Sequence, residues 1–342
     1  MLKIDGSYGE GGGQIIRTAI AMSAITNQPV RIVNIRKGRS QPGLRPQHVT
    51  GVNAAAKICG AKVRYNQLGS TELEFEPGKR MHGKFQFNVG TAGAVTLVLQ
   101  TLVPVAAFGK DCSTFEIIGG TDVKFAPTID YFMHVFSRNM KIIGLNISTD
   151  EVRRGFFPKG GGKVRIVVHP WKTKKKFDAV SQKKLEHIDV HSICSESLRK
   201  NDVGERQLGG FKSTFLPNHQ KLILEEKVIY APSLSSGTSI HAHAHFKNCK
   251  LGVVELGEKR VPAEDVGTEC AHKLLTEIGS GATVDHRMAD QILIFLAFGK
   301  GGRFKTSRIS EHLRTNAWVI QQFLPKVSIK INDQTKIVEV KN

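Results

Sequence analysis

The hydrophobic and polar positions of this chain change period repeatedly, so that short strands and amphipathic helices follow one another. Leu2–Asp5 is predicted to be a strand, and a glycine-rich turn leads into a helix from about Gly12 to Ile25. Apolar residues recur at every third or fourth position of that helix and share one face. Val30–Ile35 is predicted as a strand and His48–Cys59 as a helix, followed by two short strands that end near Phe75.

The same order of elements is predicted twice more. The second unit contains a strand at Phe85, an apolar helix after Gly93, a strand at Thr114–Ile118, a helix after Pro127, and strands near Lys141–Ser148 and Lys163–Val168. The third, in the C-terminal part, has helices at Met288–Phe298 and Glu311–Phe323 and a closing strand pair at Val327–Ile331 and Lys336–Val340. A repeat of about 80 residues is too long for a solenoid and favours three similar α/β units packed around each other.

A segment of different pattern separates the second and third units. It runs from about Gln182 to Glu277 and includes a strand at Ser239–Phe246 and a helix at Ala263–Glu277. We therefore predict a small inserted domain at residues 182–277, with a large domain formed by residues 1–181 and 278–342.

The chain is strongly basic, and this changes the expected partners. Its 342 residues include 49 Lys and Arg against 30 Asp and Glu, a net charge of +19 spread along the sequence. Such a balance indicates a polyanionic partner, with nucleic acid as the first interpretation and a nucleotide or an acidic membrane surface as alternatives. The basic run Lys172–Lys176 is interpreted as a solvated linker, with an RNA contact as the alternative.

Five cysteines and one uncharged stretch bear on location. The cysteines are widely spaced and form no CxxC pair, and the N-terminus lacks a signal-peptide pattern, so we expect a reducing compartment, the cytoplasm. Residues 87–109 carry no charge and are long enough to span a bilayer. Because Asn88, Gln100 and Pro104 interrupt them, we predict a helix buried in a protein core and no membrane contact.

Several short motifs do not carry a function. Lys3–Gly6 matches the KxDG pattern of lysine-dependent ligases, but no second ligase motif follows, which favours coincidence. Gly299–Thr306 has Phe304 where a phosphate-binding loop needs its second glycine, and Gly9–Gly11 is not continued as a dinucleotide-binding GxGxxG.

Three histidines alternate with alanines in a predicted strand. His241, His243 and His245 therefore share one face of that strand. A half-exposed strand is the favoured interpretation, because parallel side chains on one strand converge poorly on an ion. A metal site is the alternative.

Five short segments stand out as motifs, and the first two have the composition of a phosphate-binding site. In the first, Asp5–Arg17, a glycine turn leads into a helix whose free N–H groups attract phosphate, and Glu10 suits a divalent ion beside phosphates. The second, Arg36–His48, places four cations within ten residues, as a triphosphate or an RNA 3' end requires. The remaining segments are Gly119–Asp122 with Ala126–Pro127, Ala289–Gln291, and Glu311–Asn316.

Together and in this order, these segments resemble the RNA 3'-terminal phosphate cyclase family over nearly the whole chain. The resemblance implies an α/β (α+β) fold of three βαβαββ units similar to the C-terminal domain of translation initiation factor 3, with a smaller inserted thioredoxin-like domain. It further implies an ATP-dependent ligase-type enzyme (EC 6.5.1.4) that converts an RNA 3'-terminal phosphate to a 2',3'-cyclic phosphate.

The resemblance also assigns residues. His312 would be the catalytic nucleophile that carries AMP, before an RNA–adenylate forms. ATP would be bound by Glu10, Arg17, Arg36, Arg39, Gln47, Gln100, Pro127, Arg287, Asp290 and Gln291. Glu10 would also hold a divalent metal, Mg²⁺ or Mn²⁺. Arg287 departs from the family pattern, because relatives often have an aromatic residue or histidine there.

Two other functions compete with this interpretation. A non-catalytic cyclase-like RNA-binding factor of ribosome assembly shares the family's fold but lacks the nucleophilic histidine, whereas this chain has His312 in its full sequence context. A sugar-phosphate transferase built from similar units has no support in these motifs. The expected partners are RNA with a 3'-terminal phosphate and ATP, and a homodimer is one oligomeric state left open.

Overall fold

The computed structural model describes residues 1–218 and 223–342. The first unit consists, in chain order, of β1 (Leu2–Asp5), α1 (Gly13–Thr26), β2 (Val30–Val33), α2 (Pro46–Cys59), β3 (Lys62–Arg64) and β4 (Leu73–Glu76). Its sheet has the order β1-β2-β4-β3, with β1 and β2 parallel and the other pairs antiparallel. Asn27 caps the C-terminus of α1 and Gly60 that of α2, and both residues adopt the left-handed conformation that ends many helices.

The second unit repeats this topology. Its elements are β5 (Gly83–Asn88), α3 (Val95–Ala107), β6 (Ser113–Gly119), α4 (Ile129–Tyr131) continued by a π-helical turn (Phe132–Phe136), α5 (Ser137–Ile142), β7 (Ile147–Arg153) and β8 (Gly162–Val168). The sheet order β5-β6-β8-β7 matches the first sheet, again with one parallel pair. Helix α3 is buried at every position except Gln100, as expected for a core helix.

One predicted strand of this unit was placed too early. Lys141 lies in α5, and the strand expected near Lys141–Ser148 begins only at Ile147. Met140 and Ile143 are both buried and lie three positions apart, which is helical spacing. The apolar residues before Ile147 therefore belong to the end of a helix and not to a strand.

After the second unit, the short strand β9 (Phe177–Ala179) leads into a separate sheet, here called the intervening sheet. Its segment contains β10 (Leu185–Ser195), α6 (Val203–Phe215), β11 (Ile223–Ala231), β12 (Thr238–Phe246), β13 (Cys249–Leu256) and α7 (Ala263–Gly279). The order is β11-β10-β12-β13, with β10 and β11 parallel and the other pairs antiparallel. Helices α6 and α7 pack against this sheet around a separate hydrophobic cluster that includes Phe211 and Leu274.

The expectation that the strand with His241, His243 and His245 is half-exposed was wrong. All nine residues of β12 are buried. One face of the strand carries Ala242 and Ala244 into the cluster under α6 and α7. The side of β12 that carries His241 is covered by the second unit, where Thr128 Oγ1 lies 3.3 Å from His241 Nδ1. Because Thr128 is more than 100 positions away in the sequence, the pattern of the strand alone could not reveal this burial.

The third unit is split by the intervening sheet. After β9, it resumes with α8 (Met288–Phe298), β14 (Gly302–Lys305), α9 (Glu311–Phe323), β15 (Ser328–Asn332) and β16 (Ile337–Lys341). The sheet order β9-β14-β16-β15 is again that of the first two units, with β9 and β14 parallel. The prediction confined this unit to the C-terminal part and missed that its first strand precedes the intervening segment.

The first, second and third units share one hydrophobic core that includes Ile20, Leu99 and Phe295. Within residues 1–218 and 223–342, each helix is too short or too polar to cross a bilayer. All five cysteines lie in the described part and are free thiols. Lys174 of the basic run donates to the backbone oxygen of Phe298 at 2.8 Å, whereas Lys172, Lys175 and Lys176 are exposed, as in a solvated linker.

Candidate active site

The glycine turn before α1 lies directly against α9. Gly9 and Gly11 both have φ of +57°, a conformation that glycine adopts without strain. A Cβ atom on Gly9 would come within 2.6 Å of Thr315 Oγ1, so a larger residue would push the turn off α9. Helix α1 starts after Gly12 with no side-chain cap, which keeps its first N–H groups available for a phosphate.

Three predicted site residues meet at this turn. Arg39 Nη2 donates to Glu10 Oε1 at 2.5 Å, and His312 Nε2 lies 3.3 Å from Glu10 Oε2. The side chains of Glu10, Arg39 and His312 are 34%, 38% and 46% exposed. The three groups contact one another and remain open to a ligand from solvent.

His312 occupies the first turn of α9. Ser310 caps this helix, because its hydroxyl accepts a hydrogen bond from the Leu313 N–H at 3.1 Å. Tyr8 of the glycine turn stacks on Trp318 with ring centroids 3.9 Å apart, which holds the turn against α9. Burial lowers the pKa of His312, although the Glu10 carboxylate opposes this shift. A neutral imidazole therefore stands at a helix N-terminus, where an incoming anion is favoured.

A polar cleft continues from this turn between α1, α3, α8 and α9. Its polar lining consists of Gln14, Arg17, Thr18, Gln100, Asp290, Gln291 and Asn316. Arg17 Nε donates to Gln100 Oε1 at 2.9 Å, which gives the amide side chain of α3 a partner. The structure thus brings four predicted residues, Arg17, Gln100, Asp290 and Gln291, to one cleft.

Asn316 ties three helices together at the cleft. Its Oδ1 accepts a hydrogen bond from Thr18 Oγ1 at 2.8 Å, and its Nδ2 donates to Asp290 Oδ2 at 3.0 Å. Each cleft helix thereby has its position fixed by a side chain of another helix.

Burial shifts the titration of the charged cleft residues. It raises the pKa of Asp290 to about 7, against the opposing effect of Arg17, and it lowers the pKa of Arg17 to about 10. The pKa of His48 falls to about 3, because burial and then Arg17, Arg36 and Arg45 disfavour its protonated form. A region that already holds several cations and resists a further one is suited to a polyanion.

Arg36 and Gln47 lie beside the cleft and not in its lining. Arg36 Nη1 donates to the backbone oxygens of Gln41 and Gly43 at 2.8 and 2.9 Å, so it shapes its own loop. Gln47 lies in the first turn of α2, where a Cβ atom on Gly93 would come 3.4 Å from Gln47 Cβ.

Pro127 and Arg287 contact neighbouring helices through their backbone. The Pro127 oxygen accepts from Thr96 Oγ1 at 2.6 Å, near the start of α3. The Arg287 oxygen accepts from Gln291 Nε2 at 2.6 Å, just before α8. Within the described residues, neither side chain lines the cleft.

Gln14, Thr18 and Asn316 are site residues that the sequence-based assignment missed. Gln14 is buried, and its Nε2 has no hydrogen-bond partner among the described residues, so it is available to a ligand. A signal was present for two of them. Gln14 and Thr18 flank Arg17 at helical spacing, and three polar residues on one side of an apolar helix indicate a site.

Comparison with known proteins identifies the family of this chain. A family model described as RNA 3'-terminal phosphate cyclase matches residues 8–331. A protein of that name from Pyrococcus furiosus is 42% identical over 328 residues, 96% of this chain and 94% of the relative. Relatives of the same name from Methanopyrus kandleri and Methanosarcina barkeri are 40% and 37% identical, covering 97% and 99% of this chain and 95% and 99% of their own length. The chain therefore belongs to the RNA 3'-terminal phosphate cyclase family.

Proposed function

We propose that this protein converts the 3'-terminal phosphate of RNA to a 2',3'-cyclic phosphate at the expense of ATP, with His312 as the nucleophile. The observation that carries the proposal is the position of His312, at a helix N-terminus, beside Glu10 and Arg39 and next to the cleft that contains Arg17. The names of relatives that align with this chain over most of its length support the same activity.

In the first proposed step, a ring nitrogen of His312 attacks the α-phosphorus of ATP. The bond from that phosphorus to the bridging oxygen breaks, and pyrophosphate leaves with the electron pair. AMP stays on the imidazole as a phosphoramidate. A neutral imidazole offers its lone pair without a separate base, and Arg17 and Arg39 would stabilise the charge that builds on the phosphate.

In the second step, an oxygen of the RNA 3'-phosphate attacks the same phosphorus and releases His312. The ribose 2'-OH then attacks the activated 3'-phosphorus, loses its proton and expels AMP. Adenylation is needed because a phosphate dianion cannot lose an oxide unaided. The requirement for a 2'-OH makes RNA and not DNA the substrate for cyclisation.

The remaining site residues would bind ATP. We assign Arg17, Arg36 and Arg39 to the phosphates, because their positive charge surrounds the glycine turn. Gln100, Asp290 and Gln291 would hold the nucleoside in the cleft that they line. Gln47, Pro127 and Arg287 would contribute from the rim of the cleft, where Arg287 offers a guanidinium plane for stacking on a base.

A divalent metal, Mg²⁺ or Mn²⁺, fits the site through Glu10. One carboxylate together with substrate phosphates is a usual environment for Mg²⁺, and the ion supplies positive charge to the transferring phosphate. Glu10 is half-exposed at the turn, and its oxygens now contact Arg39 and His312. Glu10 would exchange one of these contacts for the ion.

We also propose the domain division that the sequence predicts, with residues 182–277 inserted into a large domain of residues 1–181 and 278–342. The shared order of three sheets supports units similar to the C-terminal domain of translation initiation factor 3. The order β11-β10-β12-β13, with one parallel pair, supports a thioredoxin-like insert. Early protease cleavage near both boundaries would agree with this division, and early cleavage within β10 or β12 would contradict it.

The decisive test is covalent labelling. The protein is incubated with ATP labelled at the α-phosphate and Mg²⁺ or Mn²⁺, denatured, and resolved on a gel. Label should remain on the wild-type chain, be released by acid, and be lost in His312→Ala. His272→Ala, which changes an exposed histidine of α7, should keep the label. Transfer to RNA should then give a 3' end that resists phosphatase.

The alternative function is that of a non-catalytic RNA-binding factor in ribosome assembly. It predicts RNA binding without any label on the wild-type chain. An unlabelled wild-type protein that still binds RNA would therefore overturn the catalytic proposal and support this alternative.

A further inference from the structure

One face of the β10–β12 pair, here called the histidine face, carries six titratable side chains. They are His187, Asp189, His191, His241, His243 and His245. The antiparallel register sets His187 opposite His245, and His191 opposite His241. The two ends of this face differ in how their charges are balanced.

The end that contains His241 is complete within the protein. His241 Nε2 lies 3.7 Å from Asp122 Oδ1 and 3.9 Å from Asp130 Oδ2. Arg154 forms ion pairs with both carboxylates, with one hydrogen bond to Asp122 and two to Asp130. Ser239 Oγ also donates to Asp122 at 2.8 Å. A guanidinium already supplies the positive charge here, so this end needs no metal ion.

The other end gathers three possible ligands and, among the described residues, has no guanidinium paired with them; Lys250 acts on Asp189 only through longer-range charge. His245 Nε2 lies 2.7 Å from Asp189 Oδ2, and His187 Nε2 lies 3.5 Å from Asp189 Oδ1. Their ligand atoms all lie within 4.8 Å of one another. Among the described residues, these two histidines are the only ion-pair partners of Asp189.

Two further observations indicate a missing cation at this end. Asp189 is only 8% exposed, and its buried Oδ1 has no hydrogen-bond partner among the described residues. A buried carboxylate oxygen that accepts no hydrogen bond costs free energy. The rings of His187 and His245 stack with centroids 4.0 Å apart and 13° between planes, so the two imidazoles already lie side by side next to Asp189.

We propose that His187, Asp189 and His245 bind a divalent transition-metal ion, with Zn²⁺ as the ion that fits best. Two imidazole nitrogens and a carboxylate oxygen are a usual zinc ligand set, and a fourth position would stay open for water. Ligand atoms on tetrahedral zinc lie about 3.3 Å apart, given metal–ligand distances of about 2.0–2.1 Å. The separations of 2.7 and 3.5 Å lie on either side of that value, and one of the two stacked rings would turn about its χ2 bond so that both nitrogens point at the ion. The His187 side chain is 30% exposed, which gives the ion a path from solvent.

The site is independent of the proposed chemistry at His312. It lies on the intervening sheet, whereas the ATP cleft is built from helices of the three repeated units. A bound ion would join β10 to β12 and stabilise the folded state by an amount that rises with the logarithm of its affinity.

The test measures metal binding by the full-length protein without ATP or RNA. The protein is stripped with a chelator, incubated with Zn²⁺ alone, passed through gel filtration, and assayed for zinc per chain. One equivalent is expected for the wild type. Asp189→Asn and His187→Gln should each lower the zinc affinity at least about tenfold. His272→Gln, the exposed histidine of α7, and Glu10→Gln should retain the equivalent. Co²⁺ should give the visible absorption bands of a tetrahedral site in the same variants that bind zinc.

Folding of the variants is checked separately. His187 is the most exposed of the three ligands, so His187→Gln should unfold at the wild-type temperature in the presence of chelator. Added Zn²⁺ should raise the unfolding temperature of the wild type and not of this variant. Absence of zinc from the wild type, or equal retention by Asp189→Asn and His187→Gln, would overturn the proposal and leave only a hydrogen-bonded His–Asp–His group.

Discussion

The glycine turn with its adjoining cleft between α1, α3, α8 and α9 and the histidine face of the intervening sheet both concentrate titratable side chains, but their contact with solvent differs. Glu10, Arg39 and His312 each keep a third or more of their side-chain surface exposed. At the end of the histidine face that contains His241, His241 is 0% and His243 is 1% exposed. Neither ring nitrogen of His243 has a hydrogen-bond partner among the described residues.

This difference separates two uses of charge. In the cleft, groups are linked in pairs that a ligand can open, and helix N-termini remain available beside them. On and around the histidine face, ions are removed from water and must be balanced inside the protein. Changes in the cleft should therefore affect chemistry more than folding, and changes at the buried charges should affect folding first.

The largest expected effect tests the buried charges. Arg154→Leu leaves Asp122 and Asp130 without their cation and should lower the free energy of unfolding by about 3–5 kcal/mol. Burial alone would raise the pKa of Asp130, but Arg154 and His241 hold it below its ordinary value. Urea unfolding gives the measurement. Arg165→Leu, which removes an exposed guanidinium 3.2 Å from Glu116, should cost about 1 kcal/mol or less. Equal losses for the two variants would remove the distinction between the regions.

The comparison also shows where sequence reasoning succeeds. Local chemistry sets the helix boundaries: Ser310 caps α9, and Gly60 closes α2, so both helices were predicted to within two residues. The glycine turn around Glu10 was also predicted from local chemistry, because a run of glycines before a helix favours a turn. The burial of His241 was not predicted, because the side chains that cover it come from the distant second unit.

The same limit applies to the cleft. Arg17, Gln100 and Asp290 come from three helices in three units, and no local pattern shows that they meet. Their assignment depended on family resemblance and not on periodicity. Asn316 belongs to a predicted motif but was assigned no role, because its bridging contacts to Thr18 and Asp290 exist only in the packed structure.

An intermediate effect tests whether the interior of the cleft, unlike the glycine turn at its entrance, is shielded from solvent. The folded-state pKa of Asp290 is about 7, above its ordinary 3.8. The folded state therefore favours protonated Asp290. This contribution to stability is complete below pH 3.8 and is lost as pH rises through about 7. From about pH 4 to about pH 7, the wild type should lose stability relative to Asp290→Asn, by at most about 1.4 kcal/mol per pH unit.

Urea unfolding of both proteins across that pH range measures this difference. The asparagine keeps an oxygen that can accept from Asn316 Nδ2, so the hydrogen bond between α8 and α9 is preserved in the variant. The exposed Asp150→Asn serves as a control for loss of a surface carboxylate. Parallel curves for the wild type and Asp290→Asn would mean that solvent reaches Asp290 freely and that the cleft is more open than its contacts indicate.

The smallest expected effect concerns the contact that positions the glycine turn. Tyr8 is 44% exposed, yet its ring stacks on Trp318 at 3.9 Å and within 12° of parallel. Tyr8→Ala should lower the free energy of unfolding by about 1 kcal/mol, since an aromatic pair contributes about 0.5–1.5 kcal/mol. Tyr8→Phe keeps the stack and should match the wild type in urea unfolding. Because the turn carries Glu10 toward His312, Tyr8→Ala should also slow labelling by ATP, with a larger fractional effect on labelling than on folding. A loss of stability without any change in labelling would show that Glu10 is positioned by Arg39 alone. The contact between Tyr8 and Trp318 would then contribute to folding and not to catalysis, as the buried charges around Arg154 do.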